Sequence, residues 1–534
     1  MKKIVESLFE KFSFFTAAEA TIISFVLMSL IGGGILYGTE KNRDVHAKQA
    51  VLQEVNVTPT TPLFSGTVGE APTQTHTFVQ NIQYKGEKFI DTWFTAVSAL
   101  CVTGLTSTDF SEFTLGGQII TMILIQMGGL GIIVFTSLFA FAVVQGLSEG
   151  SSFKNLLANI LDAEGHEVGT MLKHVFMYTF LIEGLATVIM GVHLQFFVDP
   201  AMINNLNPWW WSLFHSVSAF NNAGFGLMNN NLVNFVNDSV ISLTIAFLII
   251  LGGIGYPVLI AGHAAMSRVI RKRESAKQQA LEKSVNGVMA SPVQLRVAIW
   301  GTFALLSIGT IIPLIVEWNN PIMEGHTVWQ KVLIAFFQST STRTAGFNTI
   351  DIGALGAATL FLYMLLMYIG ANPAGTGGGI KIPTFAVLVG YILDWFKKPN
   401  EPVRLFGGVI SKFAVSHAIR LFFFSLSFIG VVTFLITLVE YKFLMTPDPT
   451  FNFLKVIFEI FSAFGTVGLS MGFAGGVTSF AAILTPFSKF LLIATMLFGR
   501  VGPLTLLAAL PWKRRFHNHP PSEDHAGAQK VQIG

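Results

Sequence analysis

The segment Phe94-Thr-Ala-Val-Ser98-Ala-Leu-Cys-Val-Thr-Gly104 organises the whole chain, because its pattern returns three more times. The pattern is a phenylalanine, a serine or threonine four residues later, and a glycine six residues after that. Its other copies are Phe214…Ser218…Gly224, Phe336…Thr340…Gly346 and Phe458…Ser462…Gly468. The four glycines are spaced by roughly 120 residues, so each repeat must contain several structural elements. Four similar loops around one axis predict a pore.

The composition excludes an ordinary soluble domain, since 52% of the 534 residues are hydrophobic and only 12% are charged. We therefore expect an all-α integral membrane protein. A hydrocarbon core about 30 Å thick needs about 20 apolar residues per helix, and eight runs are long enough. These runs are residues 17–37, 115–144, 171–198, 240–261, 293–316, 354–396 (interrupted), 414–439 and 480–510. The first run is too long for the apolar part of a signal peptide, so we expect it to be retained.

A shorter apolar segment stands before each of the four glycines, in residues 88–101, 208–221, 328–342 and 452–464. A dozen helical residues rise only about 18 Å, too little to cross, so each segment should enter the membrane and return. Each repeat is then a crossing, a re-entrant pore half-helix, an irregular strand with the glycine, and a second crossing. Two crossings return each repeat to its starting side, so all four share one orientation about an axis along the membrane normal.

This organisation divides the chain into four repeats with polar ends. The predicted parts are a cytoplasmic N-terminus (1–16), repeat 1 (17–145, with an extracellular loop at 38–86), repeat 2 (171–266), repeat 3 (293–396), repeat 4 (413–511) and a cytoplasmic tail (512–534).

Basic residues set the predicted orientation. Seven of them lie between Arg268 and Arg296, others lie between Lys397 and Arg420, and three follow the last run, whereas residues 197–211 contain none. Cytoplasmic connections carry an excess of Lys and Arg, so both termini and the connections between repeats should be cytoplasmic. The mildly acidic connection at 145–170 gives this orientation no support.

The glycine loops have the chemistry of a cation filter. Glycine permits backbone angles that let successive carbonyls face an axis, and a ring of carbonyl oxygens can replace the hydration shell of K⁺. The half-helices point their partly negative C-terminal ends at the same place. A single glycine of this kind more often only allows close packing, but four in one pattern favour a filter. The predicted K⁺-binding residues are Val102, Thr103, Gly104, Asn222, Ala223, Gly224, Thr344, Ala345, Gly346, Thr466, Val467 and Gly468.

These loops resemble the four filter loops of the Trk/Ktr/HKT potassium transporters. The resembling segments are residues 98–105, 218–225, 340–348 and 462–470, and Gln126-Met-Gly-Gly-Leu-Gly-Ile132 and Gly499-Arg-Val-Gly-Pro503 are similar as well. The resemblance covers roughly residues 17–512. Bacterial Ktr-type subunits look like the closest branch, because the two additional N-terminal helices of the Trk-type branch are absent. The long 38–86 loop departs from the family pattern, so no role is carried over to it.

The resemblance implies K⁺ uptake across a bacterial plasma or inner membrane through four M1-P-M2 repeats in pseudo-fourfold arrangement, with eight transmembrane helices. It also implies a homodimer and a cytoplasmic nucleotide-binding regulatory ring made by another polypeptide, which would hold ATP/ADP or NAD(H). No cofactor is expected in this chain, and Na⁺ would either be coupled to transport or activate it. We expect neither enzymatic activity nor a nucleic-acid partner.

Run six is interrupted by Gly370-Ala-Asn-Pro-Ala-Gly-Thr-Gly-Gly-Gly379, whose five glycines and proline cannot hold a helix. A loop should therefore lie inside the membrane below the filter. A phosphate-binding loop is disfavoured, because no Lys-Ser or Lys-Thr pair ends the run. The resemblance implies a gate, whose residues would be Gly370, Asn372, Gly375, Thr376, Gly377, Gly378, Gly379 and Arg500. The alternative is a fixed helix break that only widens the cavity.

Charged residues near these loops give further expectations. Arg500 lies deep in the last run and needs a partner or a watery cavity, unless it reaches the cytoplasmic interface. Arg343 precedes Gly346 by three residues, and Glu459 is its candidate partner behind the filter. Asp109 and Asp351 each follow a filter glycine by five residues and could attract cations to an outer vestibule or cap the next helix.

Two other function classes compete with a pore. An alternating-access secondary cation transporter usually shows inverted repeats or paired broken helices, whereas only run six is clearly broken in the sequence. An intramembrane enzyme would need His, Asp or Glu residues clustered at one depth. The candidates are scattered instead, at Glu19, Glu183, His193, Glu317 and Glu440. The tail histidines His517, His519 and His525 could bind a metal, but their surroundings favour disorder.

Overall fold

The structure is a computed structural model that describes residues 22–40, 88–144, 165–271, 292–395, 403–441, 452–472 and 479–502. The predicted polar ends, most of the 38–86 loop and the tail histidines lie outside these ranges. The α-helices are α1 (Ile22–Glu40), α2 (Lys88–Leu100), α3 (Leu115–Val144), α4 (Gly165–Phe197), α5 (Pro208–Phe220), α6 (Ser239–Gly253), α7 (Tyr256–Arg271), α8 (Pro292–Val316), α9 (Val328–Ser341), α10 (Ala357–Tyr368), α11 (Ile382–Trp395), α12 (Lys412–Val439), α13 (Phe453–Gly465) and α14 (Pro486–Val501). A small antiparallel hairpin, β1 (Arg404–Leu405) and β2 (Gly408–Val409), precedes α12.

Short helices lie at the four segments predicted as half-helices; they are α2, α5, α9 and α13, each 13 or 14 residues long. Local sequence sets where three of them begin. The Asn207 side chain accepts from two backbone N–H groups of α5, which has Pro208 at its first position. Thr327 and Gln330 form a reciprocal capping box on α9, and Asn452 caps α13. Their C-terminal ends are almost fully buried, at the place where the glycine loops begin.

The first helix of each repeat is long and apolar enough to cross a bilayer. These spans are Ile22–Glu40, Lys173–Phe197, Val293–Val316 and Lys412–Val439, and at most a third of each apolar window is buried inside the protein. The remaining surface of these helices suits contact with lipid. The second helices are less regular, since α6, α10 and α14 have only 15, 12 and 16 residues. By length and composition, the described residues therefore show four spans and one bent pair, fewer than the eight predicted crossings.

Run four is not the continuous helix that the sequence predicts. It breaks between α6 and α7, whose axes differ by 102°. Gly255 stands at the break with φ +91°, and a Cβ there would lie 2.7 Å from the carbonyl oxygen of Pro373. The chain can bend sharply here because glycine adopts this angle without strain. The expectation that only run six is broken is therefore wrong.

The repeats close into a ring through their helix contacts. The second helix of each repeat packs against the half-helix of the next: α3 on α5, α6 on α9, α10 on α13, and α14 on α2. Polar contacts join three of these four seams. Gln118 of α3 accepts from the Trp210 indole at 2.9 Å, Ser239 of α6 accepts from the Trp329 indole at 3.2 Å, and Lys489 of α14 pairs with Asp91 of α2 at 2.7 Å.

In repeats 1, 3 and 4, an acidic residue also ties the C-terminal end of the first helix to the start of the second. Glu40, Glu317 and Glu440 accept from backbone N–H groups of Thr114, Gly356 and Thr485, respectively, next to the N-termini of α3, α10 and α14. A carboxylate is favoured at this positive end of a helix. Repeat 2 reverses the arrangement, since the α6 cap Asp238 contacts His193 of α4 at 2.8 Å. Residues that are scattered in the sequence therefore share one structural role.

The ion pair at the seam between repeats 4 and 1 can be tested. Lys489 and Asp91 are only 5% and 8% exposed, so Lys489→Met leaves a buried carboxylate without its partner. We expect a loss of about 3–5 kcal/mol in stability, measured as a lower melting temperature in detergent. The double variant Asp91→Leu/Lys489→Met should regain most of the loss, and Lys331→Met, at a half-buried lysine whose hydrogen bond to the Trp318 carbonyl is exposed, should change little. A wild-type melting temperature for Lys489→Met would show that the pair does not hold this seam.

Candidate functional site: the glycine ring and the loop beneath it

The four predicted filter loops share one unusual backbone conformation. Val102, Asn222, Thr344 and Thr466 have φ between +49° and +71°, and the glycine two residues after each has φ between +70° and +93°. Non-glycine residues rarely occupy this left-handed region, because it places Cβ close to the following carbonyl oxygen. Left-handed residues at alternate positions turn successive carbonyl groups toward the same side. The same strain in all four loops indicates one shared task.

The four glycines form a closed ring, called the glycine ring below. A Cβ built on any of them would lie 2.6 Å or less from a carbonyl oxygen of the next repeat. The contacts run in order from Gly104 to Ala223 O, from Gly224 to Ala345 O, from Gly346 to Val467 O and from Gly468 back to Thr103 O. Only glycine fits such an approach. The twelve predicted filter residues are thus brought together around one axis.

Hydroxyl groups from the half-helices anchor these loops. Ser98 and Ser462 accept from the backbone N–H groups of Gly104 and Gly468, both at 3.0 Å. Ser218 donates to the carbonyl oxygen of Phe225 at 2.8 Å. In repeat 3 the equivalent contact comes from Ser341, which donates to Phe347 O, whereas the pattern residue Thr340 donates within its own helix. Sequence reasoning missed Ser341 because it lies one residue after Thr340, the residue that occupies the pattern position in repeat 3.

The 370–379 loop lies directly against the filter side chains. All ten of its residues are buried. The backbone N–H of Gly378 donates to the Thr466 hydroxyl at 3.1 Å, and the Thr376 hydroxyl donates to the Asn222 side-chain oxygen at 3.2 Å. Asn222 in turn donates to the Thr344 hydroxyl at 3.1 Å. The loop thus meets filter residues of repeats 2 and 4 and, through Asn222, of repeat 3.

The same loop is bonded to the second helices through its backbone. Asn372 and Thr376 donate to the carbonyl oxygens of Gly253 and Gly252, both at 3.0 Å. Tyr256, the first residue of α7, donates to Ala374 O at 3.1 Å, and Gly379 donates to Gly499 O at 3.3 Å. The break in run four and the break in run six are therefore hydrogen-bonded to each other. Each break supplies the polar groups that the other needs inside an apolar environment.

Arg500 fastens this loop to the first repeat. Its side chain is 3% exposed, which does not fit an arginine reaching an interface. One guanidinium nitrogen donates to Thr376 O, and the other donates to Gly128 O of α3 at 2.6 Å. Lys381, which sequence reasoning did not single out, adds a second cationic contact by donating to Gly377 O at 2.6 Å. Two cationic side chains thus hold the loop by its carbonyl groups.

The predicted pair of Arg343 and Glu459 does not form. The Arg343 guanidinium donates to the carbonyl oxygens of Ile369 and Gly370, both at 2.6 Å. Glu459 instead accepts from the Ala481 backbone N–H at 3.0 Å. Arg343 finds its acceptors where α10 unwinds, because the carbonyls there have lost their helical partners. It therefore holds the start of the 370–379 loop.

Asp109 and Asp351 have the capping role that was one of their two predicted roles. Asp109 accepts from the Ser111 backbone N–H at 2.9 Å, and Asp351 accepts from the Gly353 backbone N–H at 2.8 Å. Each caps a short 3₁₀ turn just before the second helix of its repeat. Attraction of cations to an outer vestibule stays a prediction. Within the described ranges, no group of three His, Cys, Asp or Glu side chains could hold a metal ion.

Comparison with known proteins assigns this arrangement to a family. The TrkH family model, described as a cation transport protein, matches residues 64–512. The Ktr system potassium uptake protein B of Bacillus subtilis is 34% identical over 78% of this chain and 85% of its own length. The protein of that name from Vibrio alginolyticus is also 34% identical, over 79% of this chain and 84% of its own length. The potassium/sodium uptake protein NtpJ of Enterococcus hirae is 32% identical over 79% of this chain and 85% of its own length.

A solved structure shows the same fold. The crystal structure of the potassium transporter TrkH from Vibrio parahaemolyticus superposes with a TM-score of 0.59, covering 96% of this chain and 98% of that one. Its sequence is only 18% identical, so the likeness concerns the fold alone.

The glycine ring generates a prediction about ion selectivity. Gly104→Ser or Gly346→Ser places a Cβ and a hydroxyl against a neighbouring carbonyl, which must move out of the ring. We expect discrimination between K⁺ and Na⁺ to fall on the order of tenfold, equivalent to about 1.4 kcal/mol, and to fall more than total flux does. Ion flux into liposomes measures both quantities. Gly184→Ser on α4, where a Cβ would meet nothing within 4 Å, is the matched control. Unchanged selectivity in all four single ring variants would remove the filter assignment.

Proposed function

Since this chain belongs to the TrkH family of cation transport proteins and is KtrB-like within the Trk/Ktr superfamily, we propose that it takes up K⁺ through the glycine ring. The closed order of contacts among Gly104, Gly224, Gly346 and Gly468 carries the proposal. In this order, a carbonyl oxygen of each repeat lies against the ring glycine of the preceding repeat. Potassium uptake is named in the Bacillus and Vibrio relatives, which supports K⁺ as the cation.

Selection would work through the carbonyl oxygens of the ring. They replace the water molecules around K⁺, and the surrounding hydrogen bonds hold them in place so that dehydration is compensated. The half-helices α2, α5, α9 and α13 add the negative ends of their dipoles. We propose that the four repeats are M1-P-M2 units in pseudo-fourfold arrangement, with α3, the bent α6–α7 pair, the broken α10–α11 pair and α14 as second crossings. This arrangement gives eight crossings and four pore half-helices.

An alternating-access carrier is the other candidate, because two helices are broken, and carriers often contain paired broken helices. In this chain the two breaks bond to each other, through Gly253 O with Asn372 N–H and Tyr256 N–H with Ala374 O. They form one plug on the inner side of a single ring. This arrangement favours a gated pore over two half-helix substrate sites.

The 370–379 loop would be the gate, and the described conformation would be the closed one. The loop occupies the space beneath the ring and is held by backbone hydrogen bonds and by Arg500. Each such bond contributes about 0.5–1.5 kcal/mol, so several together keep the loop closed while leaving it reversible. Five glycines lower the cost of the alternative conformation, since glycine populates many backbone angles.

Control of the gate would come from a cytoplasmic partner acting through α7. This helix begins at Tyr256, which bonds Ala374 of the loop, and it ends at Arg271 within the basic segment of the sequence. A partner that displaced α7 would therefore pull on the loop directly. We propose that the partner is a nucleotide-binding ring, holding ATP/ADP or NAD(H), that binds a homodimer of this chain. The relatives' name, a Ktr system, supports a second component. Both termini would be cytoplasmic, and Na⁺ would be coupled to transport or activate it.

If the 370–379 loop is the gate, a shorter loop should allow K⁺ to pass without the partner. Removing Ala374–Gly378 deletes the Thr376 contacts with α6 and Arg500. The loss of one or two hydrogen bonds would destabilise the closed conformation by about 1.4 kcal/mol. K⁺ flux without the partner should therefore rise by about tenfold or more. Arg500→Ala should raise flux more modestly, because the backbone bonds remain while one charge leaves the pathway. Flux of ⁸⁶Rb⁺ into liposomes is the measurement. Low flux in a shortened-loop protein that remains folded would place the gate elsewhere.

The partner proposal predicts that nucleotide control is absent from the isolated chain. Co-purification from the native membrane should recover a soluble, ring-forming protein, and charge-neutralising changes at Arg268 and Arg271 should reduce its recovery. Tight binding of ATP or NADH by the purified chain alone, with an effect on flux, would contradict this arrangement.

A further inference from the structure

An apolar groove separate from the glycine ring lies between α8 and α11. Its volume is about 300 Å³. Its lining comes from both helices and from β1 and includes Gly301, Ala304, Ile308, Ala386, Val389 and Gly390. The small residues of α8 and α11 leave the space that larger side chains would fill.

The groove opens toward the membrane. Ile308, Val389 and Leu393 are 42%, 37% and 55% exposed, and each contributes apolar surface to the wall. If the groove were empty, its wall would lose the van der Waals contacts that a neighbouring hydrocarbon chain provides. The surrounding medium here consists of lipid chains, which are as apolar as the lining. The shape and chemistry of the groove therefore fit an acyl chain.

Positive charge stands at one end of the groove. Arg404 is exposed and lines the groove itself. Arg296, also exposed, donates to Phe406 O of the same hairpin at 3.4 Å. Trp300, one turn along α8 from Arg296, is 57% exposed, and tryptophan is enriched where membrane meets water. Asp394 is the acidic residue of the lining, and it accepts from the Arg404 backbone N–H at 3.4 Å. Two exposed arginines thus lie at the hairpin end of the groove.

A second copy of the chain fits this face less well. A twofold contact with its axis through the groove would place groove against groove, and neither would be filled. It would also bring Arg404 and Arg296 of one copy toward those of the other. A single apolar chain with a negative headgroup satisfies both the space and the charge.

We propose that the groove binds one acyl chain of an anionic phospholipid of the cytoplasmic leaflet, with its phosphate at Arg404 and Arg296. This inference rests on the proposed orientation, in which the hairpin is cytoplasmic. Basic residues at this leaflet attract anionic lipids.

The bound lipid would also regulate the gate. Ile382 lines the groove, and its backbone N–H donates to Ala371 O of the 370–379 loop at 3.3 Å. A Cβ on Gly301 would lie 2.5 Å from the Ile382 side chain, so α8 and α11 touch at this point. A chain seated between the two helices holds α11 in its described position. Lipid occupancy therefore favours the closed loop.

Lipid binding to the purified full chain tests the site directly. Native mass spectrometry in detergent should show tighter binding of phosphatidylglycerol than of phosphatidylcholine. Arg404→Gln and Arg296→Gln should each weaken phosphatidylglycerol binding by about fivefold, since one basic residue near an anionic surface contributes about 1 kcal/mol. Arg420→Gln, at an exposed arginine of α12 outside the groove, is the matched charge control and should leave binding unchanged.

A groove-filling variant separates this site from ordinary lipid contact. Ala304→Phe should weaken binding of both lipids, whereas Leu185→Phe on the exposed face of α4 should not. Equal affinity for the two lipids, or no effect of Ala304→Phe, would overturn the proposal. Loss of dimer with unchanged lipid binding in Ala304→Phe would assign the groove to a second copy and overturn it as well.

Flux in the same protein keeps the two proposals distinguishable. Rb⁺ uptake into phosphatidylcholine vesicles should fall several-fold when phosphatidylglycerol is added, and Ala304→Phe should remove this dependence. Flux that is the same in both vesicles overturns the regulatory part while leaving potassium transport intact. Absence of flux in every vesicle would contradict the proposed transport, and mass spectrometry would still report on the lipid site.

Discussion

Irregular backbone inside a membrane must find protein partners for its polar groups, and this constraint shapes the whole molecule. The described part of the chain contains six such segments: the four glycine loops, the 370–379 loop and the bend at Gly255. The glycine loops bond back to their own half-helices and approach one another through the glycine ring. The backbone N–H groups of the 370–379 loop donate hydrogen bonds to the carbonyl oxygens of Gly252, Gly253 and Gly499. Its own carbonyls accept from Arg500, Lys381 and Tyr256. The loops, the broken helices and the buried cationic side chains thus supply one another's hydrogen-bond partners.

The same constraint explains why the repeats are similar but not identical. Repeats 1, 2 and 4 anchor their loops with the pattern serine, whereas repeat 3 uses Ser341 and places Arg343 beside the unwound end of α10. Arg343 thereby holds the start of the 370–379 loop. Repeat 4 contributes Arg500 and repeat 2 contributes the sharp bend at Gly255. Divergence among the repeats therefore occurs where the 370–379 loop is held against the filter loops, while the glycine ring repeats the same contact in all four repeats.

The glycine pattern made the ring and the half-helices predictable, because backbone geometry there demands glycine and the spacing repeats. The bend at Gly255 was missed, since glycines within an apolar run resemble packing positions, and the Pro373 carbonyl that Gly255 approaches lies far along the chain. Arg343 was assigned a carboxylate partner, but backbone carbonyls, which every residue carries, take that role. Lys489 and Asp91 are 398 residues apart, and no spacing signal links them.

The central claim is that a cation binds on the axis of the glycine ring. An experimental structure of the protein in Rb⁺, with anomalous scattering collected at the rubidium edge, tests it most directly. The account predicts a peak on the axis, coordinated by the carbonyl oxygens of Thr103, Ala223, Ala345 and Val467. Ordered Rb⁺ at the broken helices, with an empty ring, would contradict it and would favour a carrier.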